Sequence, residues 1–150
     1  MFKKITGFFL ATILCLRLLP GCANPKTQDR TYTARAKDYD EHGWKDQLVL
    51  TISGGKITEV DYDAVNAEGA RKSEDTEYKD TMLKYGGTTY PAEFYEKLEK
   101  TLLDKQDPKK IDAVAGATIA SNTLTNMGNA LIRERVIKGD TTLYEYEPAK

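Results

Sequence analysis

The spacing of apolar residues changes along the chain from alternation to helical periodicity. Alternation predicts three strands, a weak one over Tyr32–Ala36 and two stronger ones over Gln47–Ser53 and Lys56–Tyr62. Gly54 and Gly55 separate the second and third strands, and both can take positive φ at no steric cost. The pattern therefore predicts a β-hairpin at these glycines.

Helical spacing follows the strands. A first helix is predicted from Ser73, as its N-cap, to the glycine pair 86–87, and a second from Pro91 until Asp107. A third is predicted over Ile119–Ile137, with an apolar stripe at helical intervals. Strands followed by helices predict an α+β domain, in which a small antiparallel or mixed sheet packs with about three helices.

The N-terminal stretch has a different character. Lys3 and Lys4 precede an apolar run, Ile5–Leu16, which is too short for a membrane-spanning helix of roughly 20 residues. This pattern predicts a signal peptide over residues 1–21. The sequence L-P-G-C that ends at Cys22 resembles a bacterial lipobox. The resemblance implies that Cys22 is lipidated after cleavage, and a plain secretory signal is the alternative.

These features divide the chain into a signal peptide (1–21), a lipidated cysteine with a polar tether (22–30) and a domain (31–150). The implied location is the extracytoplasmic face of the cell membrane, with lipid as a partner through Cys22. The only other cysteine, Cys15, lies in the signal peptide, so the mature domain would have no free thiol. Any redox role must then come from a cofactor.

Charge excludes one class of partner. The 150-residue chain has a net charge of −1, and removal of residues 1–21 takes away three basic residues and no acidic one, which gives −4. A mildly acidic domain is a poor nucleic-acid binder, so we expect no nucleic-acid partner.

The segment DAVAGATIAS, residues 112–121, is the best candidate for chemistry. Gly116 and Ala117 leave the backbone open to close approach, and Thr118 places a hydroxyl beside the unpaired N–H groups of the helix that follows. Such a corner favours an anion. The alternative from the residues alone is that Thr118 caps the helix.

Several segments together resemble the FMN-binding domain family, which includes the flavin-carrying C subunit of the sodium-pumping NADH:quinone oxidoreductase. The resemblance spans about Tyr32 to Ile137 and rests on Gly43-Trp44 before LVLTI, on GGKI before TEVDYDAVN, and above all on DAVAGATIAS. In that family the pattern D-x-x-(S/T)-G-A-T marks the site where a flavin transferase esterifies the FMN phosphate to the threonine.

The resemblance implies FMN as cofactor, attached covalently to Thr118, with Asp112 recognised by the transferase. Gly116, Ala117 and Ser121 complete the implied phosphate end of the site. One position departs from the family pattern, because Ala115 stands where a serine or threonine is usual. Covalent attachment is therefore a separate expectation from FMN binding.

The implied function is a membrane-anchored flavoprotein that carries electrons from a membrane reductase or quinone-linked donor to an extracellular acceptor. Such a protein is a carrier rather than an enzyme with its own substrate. Two alternatives stay open: a module that binds FMN noncovalently, and a precursor whose leader, around Ile13–Gly21, is released as a peptide signal.

Two groups of residues have competing interpretations. Met82, Tyr85, Tyr62 and Trp44 are candidates for a slot around the flavin ring, although packing in the core is the more usual role of such side chains. The acidic and histidine-containing segment 38–42 matches no zinc or calcium pattern, so we expect a solvated loop and no metal site.

Overall fold

A computed structural model describes residues 29–147, which form a two-layer α+β domain. The sheet has four strands in the order β3-β2-β1-β4, in which β1 pairs antiparallel with β2 and parallel with β4. The strands are β1 Arg30–Ala36, β2 Lys45–Ser53, β3 Lys56–Val65 and β4 Tyr144–Tyr146. The predictions for the leader, for Cys22 and for most of the tether lie outside the described residues.

The alternation of buried and partly exposed residues in β2 shows which face of the sheet is covered. Leu48, Leu50 and Ile52 are buried, whereas the residues between them are partly exposed. In the register of the sheet Leu50 lies opposite Tyr32 of β1, and Leu48 lies opposite Tyr62 of β3. One apolar face thus runs across three strands, as in antiparallel sheets with one solvated side.

The helices of the described chain are α1 Thr76–Lys84, α2 Pro91–Lys105 and α3 Thr118–Leu131, with a π-helical turn at Ile132–Val136 and 3₁₀ turns at Lys72–Glu74 and Pro108–Lys110. The helices α2 and α3 cover this apolar face. Leu98 and Leu102 of α2 and Leu124, Met127 and Leu131 of α3 are fully buried in the core. In contrast, α1 contains no buried residue. Among residues 29–147, no helix is long and apolar enough to cross a membrane.

A close approach fixes the position of α3. A side chain at Gly128 would place its Cβ 2.9 Å from Pro108 Cγ, and Leu48 of the sheet lies on the same side. The helix can therefore pack closely onto the Pro108 turn only because residue 128 has no side chain.

The predicted fold class is confirmed, and three local differences have physical reasons. Strand β4 was not predicted, because three residues are too short to show a period. Asp75, not Ser73, is the N-cap of α1, and its side chain accepts from the Tyr78 N–H at 2.8 Å. Strand β1 begins at Arg30, two residues before the predicted strand, and Asp29 beside it accepts from the Gly54 N–H at 2.7 Å.

Candidate functional site

A cleft of about 560 Å³ opens where the start of α3 meets α1, α2 and the loop before β2. Gly116, Ala117 and Thr118 form one side of it, and Met82 of α1 lies on another. Four of the predicted site residues thus line one cavity. Its volume is in the range of small-molecule sites, ~300–1,000 Å³.

The first turn of α3 has no side-chain cap. Ala117 is the N-cap residue, with φ −131°, and no side chain accepts a hydrogen bond there. Thr118 is the first helical residue and is exposed on the cleft, so its hydroxyl does not cap the helix. Because a helix leaves its first amides unpaired, the N–H groups of residues 118–120 face an end that favours anions.

Ser121 holds the loop before α3 rather than facing the cleft. Its buried hydroxyl donates to Ala117 O at 2.8 Å and accepts from the Val114 N–H at 3.0 Å. Its amide donates to Ala117 O at 3.0 Å and is not free to bind an anion. Ser121 therefore shapes the loop that presents Thr118.

Gly116 brings the loop against the segment that joins α1 to α2. Its φ is +81°, which side chains rarely adopt, and a Cβ there would lie 2.8 Å from Thr88 Oγ1. Thr88 and Thr89 therefore pack directly against Gly116. A glycine at 116 is required both by conformation and by space.

Aromatic and apolar side chains form the wall opposite the helix end. Tyr78 and Met82 come from α1, and Phe94 and Tyr95 come from α2. Phe94 and Tyr95 pack edge to face, with ring centroids 4.6 Å apart. This wall offers a planar aromatic ligand both flat contact and a polarisable sulfur.

Lys72 is the lysine on the cleft wall, and its side chain is only 12% exposed. The ammonium lies 4.4 Å from the Tyr78 ring centroid, 5.8 Å from that of Trp44, and 3.8 Å from Asp40 Oδ2. These cation–π and ionic contacts hold the charge beside the cavity.

The residues on either side of Lys72 in the chain, Arg71 and Ser73, are held by a set of ionic contacts and hydrogen bonds. Asp63 of β3 is 3% exposed and accepts from Arg71 Nε at 2.9 Å, from the Ser73 amide at 3.2 Å and from the Ser73 hydroxyl. Arg71 also binds Asp61 through both terminal nitrogens, at 2.6 and 3.2 Å. We refer to Asp61, Asp63, Arg71 and Ser73 as the Asp63 cluster. The pKa of Arg71 is raised mainly by its hydrogen bonds to Asp61.

Asp46 of β2 also lines the cleft and has a different environment. Tyr62 donates to Asp46 Oδ1 at 2.8 Å, and the Tyr62 oxygen lies 3.1 Å from Ala120 O in the first turn of α3. Burial raises the pKa of Asp46, although the Tyr62 hydrogen bond and the charge of Lys72 act against this. Burial also raises the pKa of Tyr62 well above its ordinary value, so this hydroxyl stays protonated.

Other residues singled out from the sequence lie outside the cleft lining. Asp112 is exposed in the loop before α3, and Tyr85 is 79% exposed at the end of α1. Tyr62 and Trp44 are buried behind the cleft, Trp44 with its ring edge-on to Tyr78. The residues thus divide into those that face the cavity and those that support it.

Sequence reasoning missed Tyr78, Phe94 and Tyr95 of the aromatic wall and the carboxylate of Asp46. Phe94 and Tyr95 fit the apolar stripe of α2, which gives no sign of a cavity at one end. Asp46 has the weak signal of a carboxylate at the start of an apolar strand. The loop residues Asp40, Glu41 and His42 are exposed as expected, but they also line the cleft rim. Within residues 29–147, no cluster of acidic, histidine or cysteine side chains could hold a metal ion.

A second cleft, of about 510 Å³, lies along α3 beside β4. Its lining combines Asn122, Asn126 and Asn129 of the helix and Arg133 beyond it with Tyr144 and Tyr146 of β4. It runs along the side of α3 and does not include the uncapped end at Ala117 and Thr118. The first cleft, with an anion-favouring end and an apolar wall, fits the phosphate and the ring of FMN.

Comparisons with known proteins identify the family of the chain. Residues 43–133 match the family model described as FMN-binding domain. The chain is 39% identical over 121 residues to the 15 kDa lipoprotein of Treponema pallidum (strain Nichols), covering 80% of this chain and 85% of that protein.

Two solved structures share the fold. A crystal structure of a Clostridium perfringens protein has a TM-score of 0.75 at 33% identity, covering 82% of this chain and 99% of that one. A solution NMR structure from Clostridium thermocellum has a TM-score of 0.50 at 31% identity, covering 72% and 92%. With the match over residues 43–133, these findings show that the chain belongs to the FMN-binding domain family.

Proposed function

We propose that this protein is a membrane-anchored, extracytoplasmic flavoprotein that carries electrons, with FMN in the first cleft and its phosphate esterified to Thr118. One observation carries the proposal. Thr118 presents a free hydroxyl to the cleft at the uncapped end of α3, where a helix end and an aromatic-walled cavity meet.

The helix end suits a phosphodiester. An ester at Thr118 keeps one negative charge, and the unpaired amides of residues 118–120 stabilise that charge without a basic side chain. The lining of the cleft fits this, because its lysine, Lys72, belongs to the turn before α1 rather than to the loop that carries Thr118. The phosphate is therefore bound by backbone dipoles and the covalent bond.

The ring is held by Tyr78, Met82, Phe94 and Tyr95. Bound FMN supplies the redox chemistry, since it accepts and releases one or two electrons. The protein's side chains exclude water from part of the cleft and orient the ring. A covalent link prevents loss of the cofactor, which matters for a carrier outside the cell where free FMN is dilute.

Loading requires a flavin transferase as partner. Asp112 is exposed beside the acceptor loop, where another protein can reach it. Ala115, which departs from the family pattern, is also exposed, so the loop that presents Thr118 does not depend on burial of that side chain. We therefore propose that Ala115 is compatible with transfer to Thr118.

The membrane location rests on sequence similarity. The Treponema pallidum relative is named a lipoprotein, and this chain has Cys22 at the end of its L-P-G-C motif. We propose that Cys22 carries the lipid and that a membrane reductase or quinone-linked donor supplies the electrons.

Intact mass measurement tests the covalent part of the proposal. Residues 23–150 are coexpressed with a flavin transferase, as wild type, Thr118→Val and Thr88→Val. We expect the wild type and Thr88→Val to gain the mass of FMN less water on the peptide that contains residue 118, and Thr118→Val to gain nothing.

An ester that persists in Thr118→Val would overturn the assignment of the acceptor. A wild-type protein that is yellow when folded but unmodified in mass would support the alternative of a noncovalent FMN-binding module. A colourless protein of unmodified mass would contradict FMN binding itself.

A further inference from the structure

Asp46 is a carboxyl on the cleft wall that FMN binding alone does not require. It lies near the start of β2, faces the cavity and is partly buried. Burial of a carboxylate is costly unless it is well paired. Asp46 is only partly paired: Oδ1 accepts one hydrogen bond from Tyr62, and Lys72 supplies a neighbouring positive charge. A carboxyl in this setting changes its protonation readily when the charge of the cleft changes.

Tyr62 connects Asp46 to the helix end where the flavin phosphate is proposed to sit. The Tyr62 oxygen lies 2.8 Å from Asp46 Oδ1 and 3.1 Å from Ala120 O, two residues after Thr118. Tyr62 also packs edge to face on Tyr95 of the cleft wall, with centroids 5.1 Å apart. Asp46 is therefore held in place by groups that belong to the site.

The charges around Asp46 come from every element that packs against it. Lys72 favours the charged form, whereas nearby carboxylates and buried hydroxyls favour the neutral form. The facing groups are Asp40, Glu41 and His42 of the loop before β2, Tyr62 and Asp63 of β3, Lys72 of the turn before α1, Tyr95 of α2 and Tyr146 of β4. Arg71 pairs with Asp63, which leaves Lys72 to balance both Asp40 and Asp46, so an added negative charge finds little compensation.

We propose that Asp46 is a redox-linked proton-binding residue, which takes up a proton when the bound flavin is reduced and releases it on reoxidation. The proposal rests on the proposed function, since it requires flavin in the first cleft. Reduction adds negative charge beside a partly buried carboxylate, and the carboxylate lowers the cost by binding H⁺.

The balance of the step is simple. Two electrons come from the donor, which is a membrane reductant in the cell and dithionite in the experiment. One proton moves from water to a carboxylate oxygen of Asp46, in addition to the protons that the flavin itself takes up. No covalent bond to carbon is made or broken, and reoxidation returns the proton to water.

The test is the pH dependence of the midpoint potential of the FMN-loaded, full-length protein. In the wild type, one extra proton per two electrons steepens the fall of potential by ~30 mV per tenfold change in proton concentration. This steeper region lies between the Asp46 pKa values of the oxidised and the reduced protein. Proton uptake by the flavin is common to all variants and cancels in the difference.

Asp46→Asn keeps the size of the side chain and an acceptor for Tyr62. Its potential should equal that of the wild type at low pH and lie progressively above it as pH rises. Asp40→Asn is the matched control, because Asp40 lines the same cleft but its side chain is 44% exposed. It should keep the steeper region but move it to lower pH, because removal of the Asp40 charge lowers the Asp46 pKa.

Tyr62→Phe supplies a directional test. The Tyr62 hydrogen bond lowers the Asp46 pKa, so its removal should move the steeper region to higher pH without abolishing it. An infrared difference spectrum should also show the C=O stretch of a protonated carboxyl on reduction in the wild type, and lack it in Asp46→Asn.

Parallel curves for the wild type and Asp46→Asn, with no carboxyl band, would overturn the role of Asp46 while FMN binding stood. A protein that holds no flavin would give no redox curve, which would contradict the proposed function and this proposal together. A wild-type curve that steepens, and an Asp46→Asn curve that does not, would support both.

Discussion

Two carboxylates on neighbouring strands, the buried Asp63 and the partly buried Asp46, have opposite surroundings. Asp63 accepts hydrogen bonds from Arg71, from Ser73 twice and from the Ala64 amide at 2.7 Å, and it does not line the cleft. Asp46, opposite Ala64 in the register, faces the cavity with Tyr62 as its side-chain donor. Full pairing makes the first a structural group, whereas partial pairing leaves the second able to change charge.

The same contrast separates the regions around the two residues. Side chains of the Asp63 cluster bond to one another and fix the turn that carries Lys72. Side chains and backbone groups of the cleft, in contrast, point toward space that a ligand would fill. Variants in the two regions should therefore differ in whether stability or flavin chemistry is lost.

Asp63→Ala should have the largest effect on stability. It leaves Arg71 Nε and the Ser73 hydroxyl without their buried acceptor, so we expect the free energy of unfolding to fall by at least ~2 kcal/mol. Urea unfolding measures the change. Asp61→Ala is the control, because this more exposed carboxylate also binds Arg71, and its loss should cost about 1 kcal/mol or less. Equal losses would contradict the structural importance of burial at Asp63.

Gly116→Ala should affect both stability and loading. The positive φ and the 2.8 Å approach to Thr88 Oγ1 should cost ~1–2 kcal/mol and displace the loop before Thr118. Gly69→Ala has a similar φ of +83° but meets nothing within 4 Å, so it should lose stability without losing flavin. Fluorescence of FMN on a denaturing gel, together with urea unfolding, separates the two effects.

The pH dependence of stability should show that the ionised form of Asp46 destabilises the fold. The pKa of Asp46 is higher in the folded chain than in the unfolded chain, so its stabilising contribution is complete below pH ~4 and is lost as pH rises through the folded value. Relative to the wild type, flavin-free Asp46→Asn should therefore gain stability between acidic and neutral pH.

Glu134 provides the opposite sign for that experiment. Hydrogen bonds from Lys138 and Arg133 lower the pKa of Glu134 to about 2. Its stabilising contribution is present above the unfolded pKa and is lost as pH falls toward 2. Glu134→Gln should differ from the wild type most at neutral pH and least in acid. If Asp46→Asn followed the same trend, the environment assigned to Asp46 would be wrong.

Thr118→Val should have the smallest effect on stability. Thr118 is exposed and caps nothing, so its replacement by a residue of similar shape should change the free energy of unfolding by no more than ~0.5 kcal/mol. A thermal or urea transition of the flavin-free protein measures this. A larger loss would mean that the hydroxyl has a structural role.

The sequence predicts the elements whose pattern is local. Period-2 spacing in β2 and β3, the Gly54-Gly55 turn and the apolar stripes of α2 and α3 all identify their elements correctly. Strand β4 is too short for such a signal, and it forms only because Arg135 and the turn after α3 bring Tyr144 beside β1. The Ser73 cap was predicted from residue type, yet the nearby buried Asp63 binds that hydroxyl instead.

The site likewise has one part that a single segment of sequence predicts and another that depends on how distant segments pack. The sequence predicts the Gly116–Thr118 end, because small residues before a helix are visible in one segment. The wall of Tyr78, Phe94 and Tyr95 depends on how α1 and α2 pack, which no single segment shows. The pairing of Asp46 with Tyr62 likewise requires the register of the sheet.

The most direct test of the account is to locate the flavin. Amide chemical shifts of isotopically labelled protein are compared between the FMN-loaded and FMN-free forms. We expect the largest changes at residues 116–120 and around Met82, and none at Asn126 and Asn129 in the second cleft. Changes confined to the second cleft, or spread without relation to Thr118, would contradict the assignment of the first cleft as the FMN site.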